Sequence, residues 1–156
     1  MRKPHSRRSA RGGSIIEFSL LMPWLVFLFV GAYDWGFYAH ALISTENAAR
    51  VAALYAANLA SGSPQTSKAC TLVLNELSIA ANVAGLNTCT SGAVSTSAPV
   101  AVSLSCTTLD SVNAVKVAVT YQTLQLIPIP GLLEGKATLY RVTEMPMNNN
   151  SSCSVS

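Results

Sequence analysis

The sequence predicts an α+β fold: a long N-terminal membrane-spanning helix continues into a small head with one further helix and an antiparallel sheet of about three strands. Three observations carry this. Residues 18–33 form an apolar run with no ionisable group, and no proline follows Pro23 until Ser61-Gly62-Ser63-Pro64 closes the helical pattern. Ala69, Leu72, Val73, Leu77, Ala80 and Ala84 then recur at helical spacing, with Gly85 as a stop. Finally, runs starting at Val100 and Val115 alternate apolar and polar residues in the manner of half-buried strands.

A helix over 13–60 is about 70 Å long, more than twice the hydrocarbon thickness of a bilayer, so its second half must emerge from the membrane. Its span is expected near 15–39. Alanine-rich composition and the i,i+4 pair Glu46 and Arg50 support the later turns. Pro23 lacks an N–H and crowds the carbonyl four residues earlier, which predicts a kink near Ser19, with Ser19 helping to satisfy the freed carbonyl.

Charge sets the direction. Of the ten Lys and Arg, Arg2, Lys3, Arg7, Arg8 and Arg11 precede Gly12, and no acid precedes Glu17; the remaining chain carries five bases against seven acids. Residues 1–12 therefore read as a basic cytosolic leader, because bases beside the start of an apolar helix resist translocation. Everything beyond the span is expected outside the cytosol. No aromatic interleaves the basic cluster and no later patch repeats it, so nucleic acid is not an expected partner. Ala39-His40-Ala41 offers a small-x-small cleavage site, but the apolar region is long and helical patterning runs through it, which disfavours a secretory signal.

Glu17 is a carboxylate near the start of a membrane helix, costly unless it meets a cation or interfacial water. It has two readings. Either it sits at the interface and complements the positive helix N-terminus, or a cut between Gly12 and Gly13 makes it the fifth residue, neutralised by the new amino group of a neighbouring chain.

The stretch Gly12-Gly13-Ser14-Ile15-Ile16-Glu17-Phe18 resembles the prepilin-peptidase site of type IV pilin-like proteins. Extended through Ser19-Leu20-Leu21-Met22-Pro23, it is similar to the TadE family of tight-adherence pilus proteins. Gly31-Ala32-Tyr33-Asp34-Trp35-Gly36 resembles that family's glycine, acid, glycine segment with Asp in place of the usual Glu, Asn47-Ala48-Ala49-Arg50 its Ala-Ala-Arg stretch, and Arg141-Val142-Thr143-Glu144 its basic-then-acidic strand. The resemblance implies a minor pseudopilin: a single-pass inner-membrane protein with a periplasmic head, cleaved at Gly12 and Gly13 by a prepilin peptidase, and engaged with other pilus or pseudopilin subunits in assembling an adhesive pilus. Glu17, Phe18, Pro23 and Asp34 are the implied helix-assembly residues, and inner-membrane lipid, the peptidase and the assembly machinery the implied partners. The alternative is an uncleaved single-pass protein whose outer domain binds an envelope partner unrelated to pili.

The head is expected over 61–147 and a flexible polar tail over 148–156. Within it, 68–84 reads as a helix and 87–98, rich in Ser, Thr and Gly, as an exposed loop. Val100, Val102, Leu104 and Cys106 share one strand face; Val115, Val117, Val119 and Tyr121 share another, opposite Lys116, Thr120 and Gln122. The two strands are expected to pair antiparallel across a turn near Asp110. Leu126-Ile127-Pro128-Ile129-Pro130-Gly131-Leu132-Leu133 is too proline-rich for a central strand and reads as a loop or edge. Residues 137–145 supply a third strand.

Cys70, Cys89, Cys106 and Cys153 all fall outside the expected cytosolic segment, so two disulfides are expected. If 68–84 is helical, Cys70 and Gly85 lie about 22 Å apart, and four residues at about 3.5 Å each do not bring Cys89 back. That geometry disfavours Cys70 with Cys89. Neither C-x-x-C nor a Cys/His cluster is present, so no metal or other cofactor is expected. His5 and His40 are the only histidines, placed where neither serves a serine nucleophile; no catalytic residue is assigned and the chain is not expected to be an enzyme.

Overall fold

The structure is a computed structural model that describes residues 13–59, 63–80, 82–124, 136–147 and 153–155. The leader with Gly12, the proline-rich stretch 126–133 and most of the tail lie outside the described residues. Contacts divide the chain into two units, Met1–Phe37 and Tyr38–Ser156.

Helix α1 (Gly13–Ala57) crosses that boundary without a break and carries Pro23 inside it. The Ser19 hydroxyl donates to the Ile15 carbonyl at 2.8 Å. It therefore satisfies an acceptor one turn back rather than its own carbonyl, the one Pro23 frees, which corrects the expected local repair. The helix stops at Ala57, three residues before the expected end; the Asn58 N–H closes the last turn on Leu54.

In the second unit α1 turns an alanine face inward. Ala48, Ala49, Ala52, Ala53, Ala56 and Ala57 are buried, at the spacing of one helical face. Methyl-sized side chains let neighbouring elements come close without off-rotamer packing. Residues of α2 (Thr66–Glu76) complete that side of the core through Ala69, Val73 and Leu74, with Leu77 just past its end.

Strands β1 (Val100–Leu109), β2 (Val112–Gln122) and β3 (Thr138–Pro146) form an antiparallel meander in the order β1-β2-β3. Register pairs Val102 with Val119 and Val119 with Arg141. The alternation predicted for β2 holds: Val115, Val117, Val119 and Tyr121 are buried while Lys116, Thr120 and Gln122 are partly exposed. Each buried valine contributes roughly 1.5–3 kcal/mol relative to an exposed one. Along β1 the pattern fades, and Cys106, expected on the buried face, is exposed. β3 begins one residue later than expected. The β1–β2 turn places Asp110 and Ser111 at φ 48° and 67°, the left-handed pair that a two-residue hairpin with matching twist requires.

The disulfides are Cys70–Cys89 and Cys106–Cys153, with Cα separations of 5.8 Å in both. The first corrects the sequence expectation. Its premise was a helix running to residue 84, whereas α2 closes at Glu76 and the chain turns back through hydrogen-bonded turns ending at Gly85, φ 84°. A shorter helix and a folded return bring Cys89 beside Cys70. The 87–98 loop is also pinned at Thr90, which exchanges backbone hydrogen bonds with Val100 and Val102.

Replacing Ala52, fully buried, with leucine is expected to lower stability by about 1–3 kcal/mol through overpacking. Leu54→Ala, on the exposed face, is expected to change it by less than about 0.5 kcal/mol. Denaturant titration of the full chain in detergent micelles, followed by the ellipticity of the sheet, separates the two; equal effects would contradict a tight alanine face.

Candidate functional site

Three layers of α1 carry the candidate assembly residues. Gly13 is the first described helical residue, which makes Glu17 the fifth position of α1. Glu17, Phe18 and Pro23 are all exposed, as are the large side chains Ile15, Leu20, Trp24 and Phe29 around them. Among the described residues no hydrogen bond or ion pair engages Glu17. An exposed carboxylate amid exposed apolar side chains is a polar point on a surface that water does not favour, so its partner must be external: interfacial water, or a cation on another chain.

Asp34 differs. It is 5% exposed, and its Oδ2 is buried without a hydrogen-bond partner. Sequence reasoning singled out Asp34 through its glycine neighbours but gave no sign of burial, because residues 30–38 are apolar on every side and define no face. Gly31 and Gly36 leave open space: a Cβ at either would meet nothing within 4 Å. Their smallness is thus not demanded by packing within the described chain. Glu17 and Asp34 stand seventeen residues apart, about 25 Å along the helix, so the structure does not bring them together for shared acid-base chemistry.

Beyond Tyr38, polar contacts hold the helix on the second unit. Glu46 accepts from Arg50 Nε at 3.2 Å and lies 3.4 Å from Arg141 Nε on β3. This joins two of the sequence segments singled out above, the Ala-Ala-Arg stretch and the Arg141-to-Glu144 strand. Both ions are partly exposed, so the pair supplies orientation and less than about 1 kcal/mol. Thr45, fully buried, donates back to the Ala41 carbonyl at 2.7 Å. On the outer sheet face Lys116 pairs with Glu144 at 3.0 Å, and that hydrogen bond raises the lysine pKa above its ordinary value.

A second polar latch escaped the sequence reading. Tyr121 donates its hydroxyl to Asn82 Oδ1 at 2.8 Å, and Asn82 Nδ2 donates to the Gln122 carbonyl at 2.8 Å. The turns after α2 are thereby fastened to the end of β2. Alternation placed Tyr121 in the core, but only tertiary structure brings Asn82 to it.

One helix among the described residues is long and apolar enough to cross a membrane, and it is α1. A family model described as TadE-like protein matches residues 12–54. Over this segment the chain is similar to TadE-like proteins. The match covers the apolar span, Glu17, Asp34 and the first four of the six alanines of the buried face, and leaves the sheet outside it. It associates the chain with tight-adherence pilus assembly, and α1 with a membrane anchor in a protein of that system. Comparison with curated proteins and with solved structures found no match.

Burial raises the Tyr121 pKa above 10.0, opposed in part by the Asn82 hydrogen bond. A phenol whose folded pKa exceeds its unfolded one holds its proton better in the fold, so its stabilising contribution is complete below about pH 10 and is lost as pH rises through the folded pKa. Tyr121→Phe is expected to remove that alkaline loss and to cost about 1 kcal/mol at neutral pH, since Asn82 Oδ1 loses its donor. Stability measured against pH for both proteins checks this; identical alkaline profiles would contradict it.

Proposed function

We propose that this protein is a TadE-like minor pseudopilin that serves tight-adherence pilus assembly by packing α1 against the helices of other pilus subunits, rather than by catalysis. The observation that carries the reading is the coincidence of the family match with a helix that carries Glu17 and leaves its large apolar side chains uncovered. Uncovered apolar surface is satisfied by lipid or by neighbouring helices. Among neighbouring helices, Glu17 meets the amino group that cutting after Gly12 would create on an adjacent chain, and this ion pair fixes the stagger between subunits. Open space at Gly31 and Gly36 supports the same reading, because small residues let helix backbones approach in lipid.

In this reading a prepilin peptidase removes residues 1–12 on the cytosolic side, the second unit lies in the periplasm, and the two disulfides form there. The partners are inner-membrane lipid, the peptidase and other pilus subunits. No cofactor or metal enters the mechanism.

N-terminal sequencing of the membrane-extracted protein is expected to begin at Gly13, and Glu17→Ala is expected to leave insertion and cleavage largely intact while co-purification with other pilus subunits falls severalfold. A chain retaining its leader as the working form would favour the uncleaved anchor instead. Undiminished co-purification of Glu17→Ala would remove the carboxylate from the mechanism.

A further inference from the structure

Contacts along α1 give the second unit a direction. Just past the Ala57 end, Ser63 hydrogen-bonds Ser154 at 2.6 Å, and the adjacent Cys153 is bonded to Cys106, in the β1 row that pairs with Val115 and Met145. Earlier on α1, Glu46 meets Arg141, whose row is Val102 and Val119. The sheet therefore advances from the Cys106 row toward the Leu139 row as α1 is traced back toward Tyr38. Thr123 continues β2 in that direction, paired with Ala137 by two hydrogen bonds, and Leu124 follows. From Val119 to Leu124 is about 17 Å of strand, and from Glu46 back to Tyr38 about 12 Å of helix. Allowing for strand tilt, Leu124 reaches the level of Tyr38.

Ile79 reaches that end by a second route. α2 starts from the Ser63 end, and the turns after it arrive at Asn82, which is bonded to Gln122. Ile79 and Leu124 thus flank one hydrogen bond, three and two residues from it. Their exposures are 79% and 46%. Single exposed apolar residues need no explanation, but two large ones that separate segments bring to one end of a unit call for one. Lys136, next to Ala137, stands at the same end with its Nζ donating to Thr96 Oγ1 at 2.6 Å, and Glu76 lies three residues before Ile79. The opposite end carries the Asp110-Ser111 hairpin tip.

We propose that the Tyr38 end of this unit is a lipid-contact surface, on which Ile79 and Leu124 enter the interfacial layer of the bilayer that α1 crosses. Lipid is the occupant because α1 enters the unit at this same end, so the bilayer that receives the exposed apolar helix adjoins Ile79 and Leu124 by chain continuity. Tyr38 itself is the kind of residue that settles at a membrane interface. The surface would restrain rotation of the unit about α1. The inference rests on α1 as a membrane anchor and not on a role in pili.

All four native cysteines are paired, so Ile79→Cys, Leu124→Cys and, at the opposite end, Thr108→Cys each add one attachment point for an environment-sensitive fluorophore. The full chain is reconstituted into phosphatidylethanolamine–phosphatidylglycerol vesicles. Labels at 79 and 124 are expected to be blue-shifted, quenched by lipids bearing a shallow nitroxide, and severalfold less accessible to iodide than the label at 108. Equal iodide access at all three positions, or shielding at 79 and 124 only after other pilus subunits are added, would overturn the proposal. Either result leaves leader cleavage and the role of Glu17 to their own tests.

Discussion

The constraint on which the rest depends is the solvation of α1 between Ile15 and Phe37. Large aliphatic and aromatic side chains there stand exposed through six turns of helix, and water is a poor solvent for that surface. Every polar group on the stretch gains meaning from this. In lipid a backbone must satisfy itself, and α1 stays helical through Pro23 although the proline leaves the Ser19 carbonyl without its helical N–H partner, the Ser19 hydroxyl bonding back to Ile15 instead. A carboxylate there must find charge or water. Glu17 and Asp34 are the two acids on the stretch, one exposed and one buried with an unpartnered oxygen, so they pose different problems to their surroundings.

The same helix changes solvent near Tyr38. Before that point its large apolar side chains are exposed; after it an alanine face supplies one wall of a conventional core while Asn47 and Arg50 are exposed. Alanine at this wall contributes little hydrophobic area per residue. The deficit is offset by the valines of β1 and β2, by Leu77 and Val73, and by two disulfides that close the loops around the sheet. Disulfides suit a small unit with a modest core.

Much of this was legible in the residues because it was periodic. An apolar run and the two-residue alternation of Val115, Val117, Val119 and Tyr121 each specify structure locally. Glu17 drew notice for another reason: a single acid at the start of an apolar run is a discrete signal. What stayed hidden depended on where turns fall. Leu77, Ala80 and Ala84 keep helical spacing, and only the folded return shows that α2 ends at Glu76, which reverses the expectation about Cys70 and Cys89. The Asn82–Tyr121 latch and the Glu46–Arg141 contact join residues 39 and 95 positions apart, beyond any local pattern. Burial of Asp34 was equally silent, since its neighbours are apolar all round.

Position-by-position photo-cross-linking along residues 15–37, in cells assembling the pilus, tests most directly what covers the exposed half of α1. Cross-links to other pilus subunits are expected to recur every three to four residues on a face that includes position 17, with lipid adducts between them. Lipid adducts alone at every position, with no helical period, would contradict a helix whose apolar surface is built for other helices.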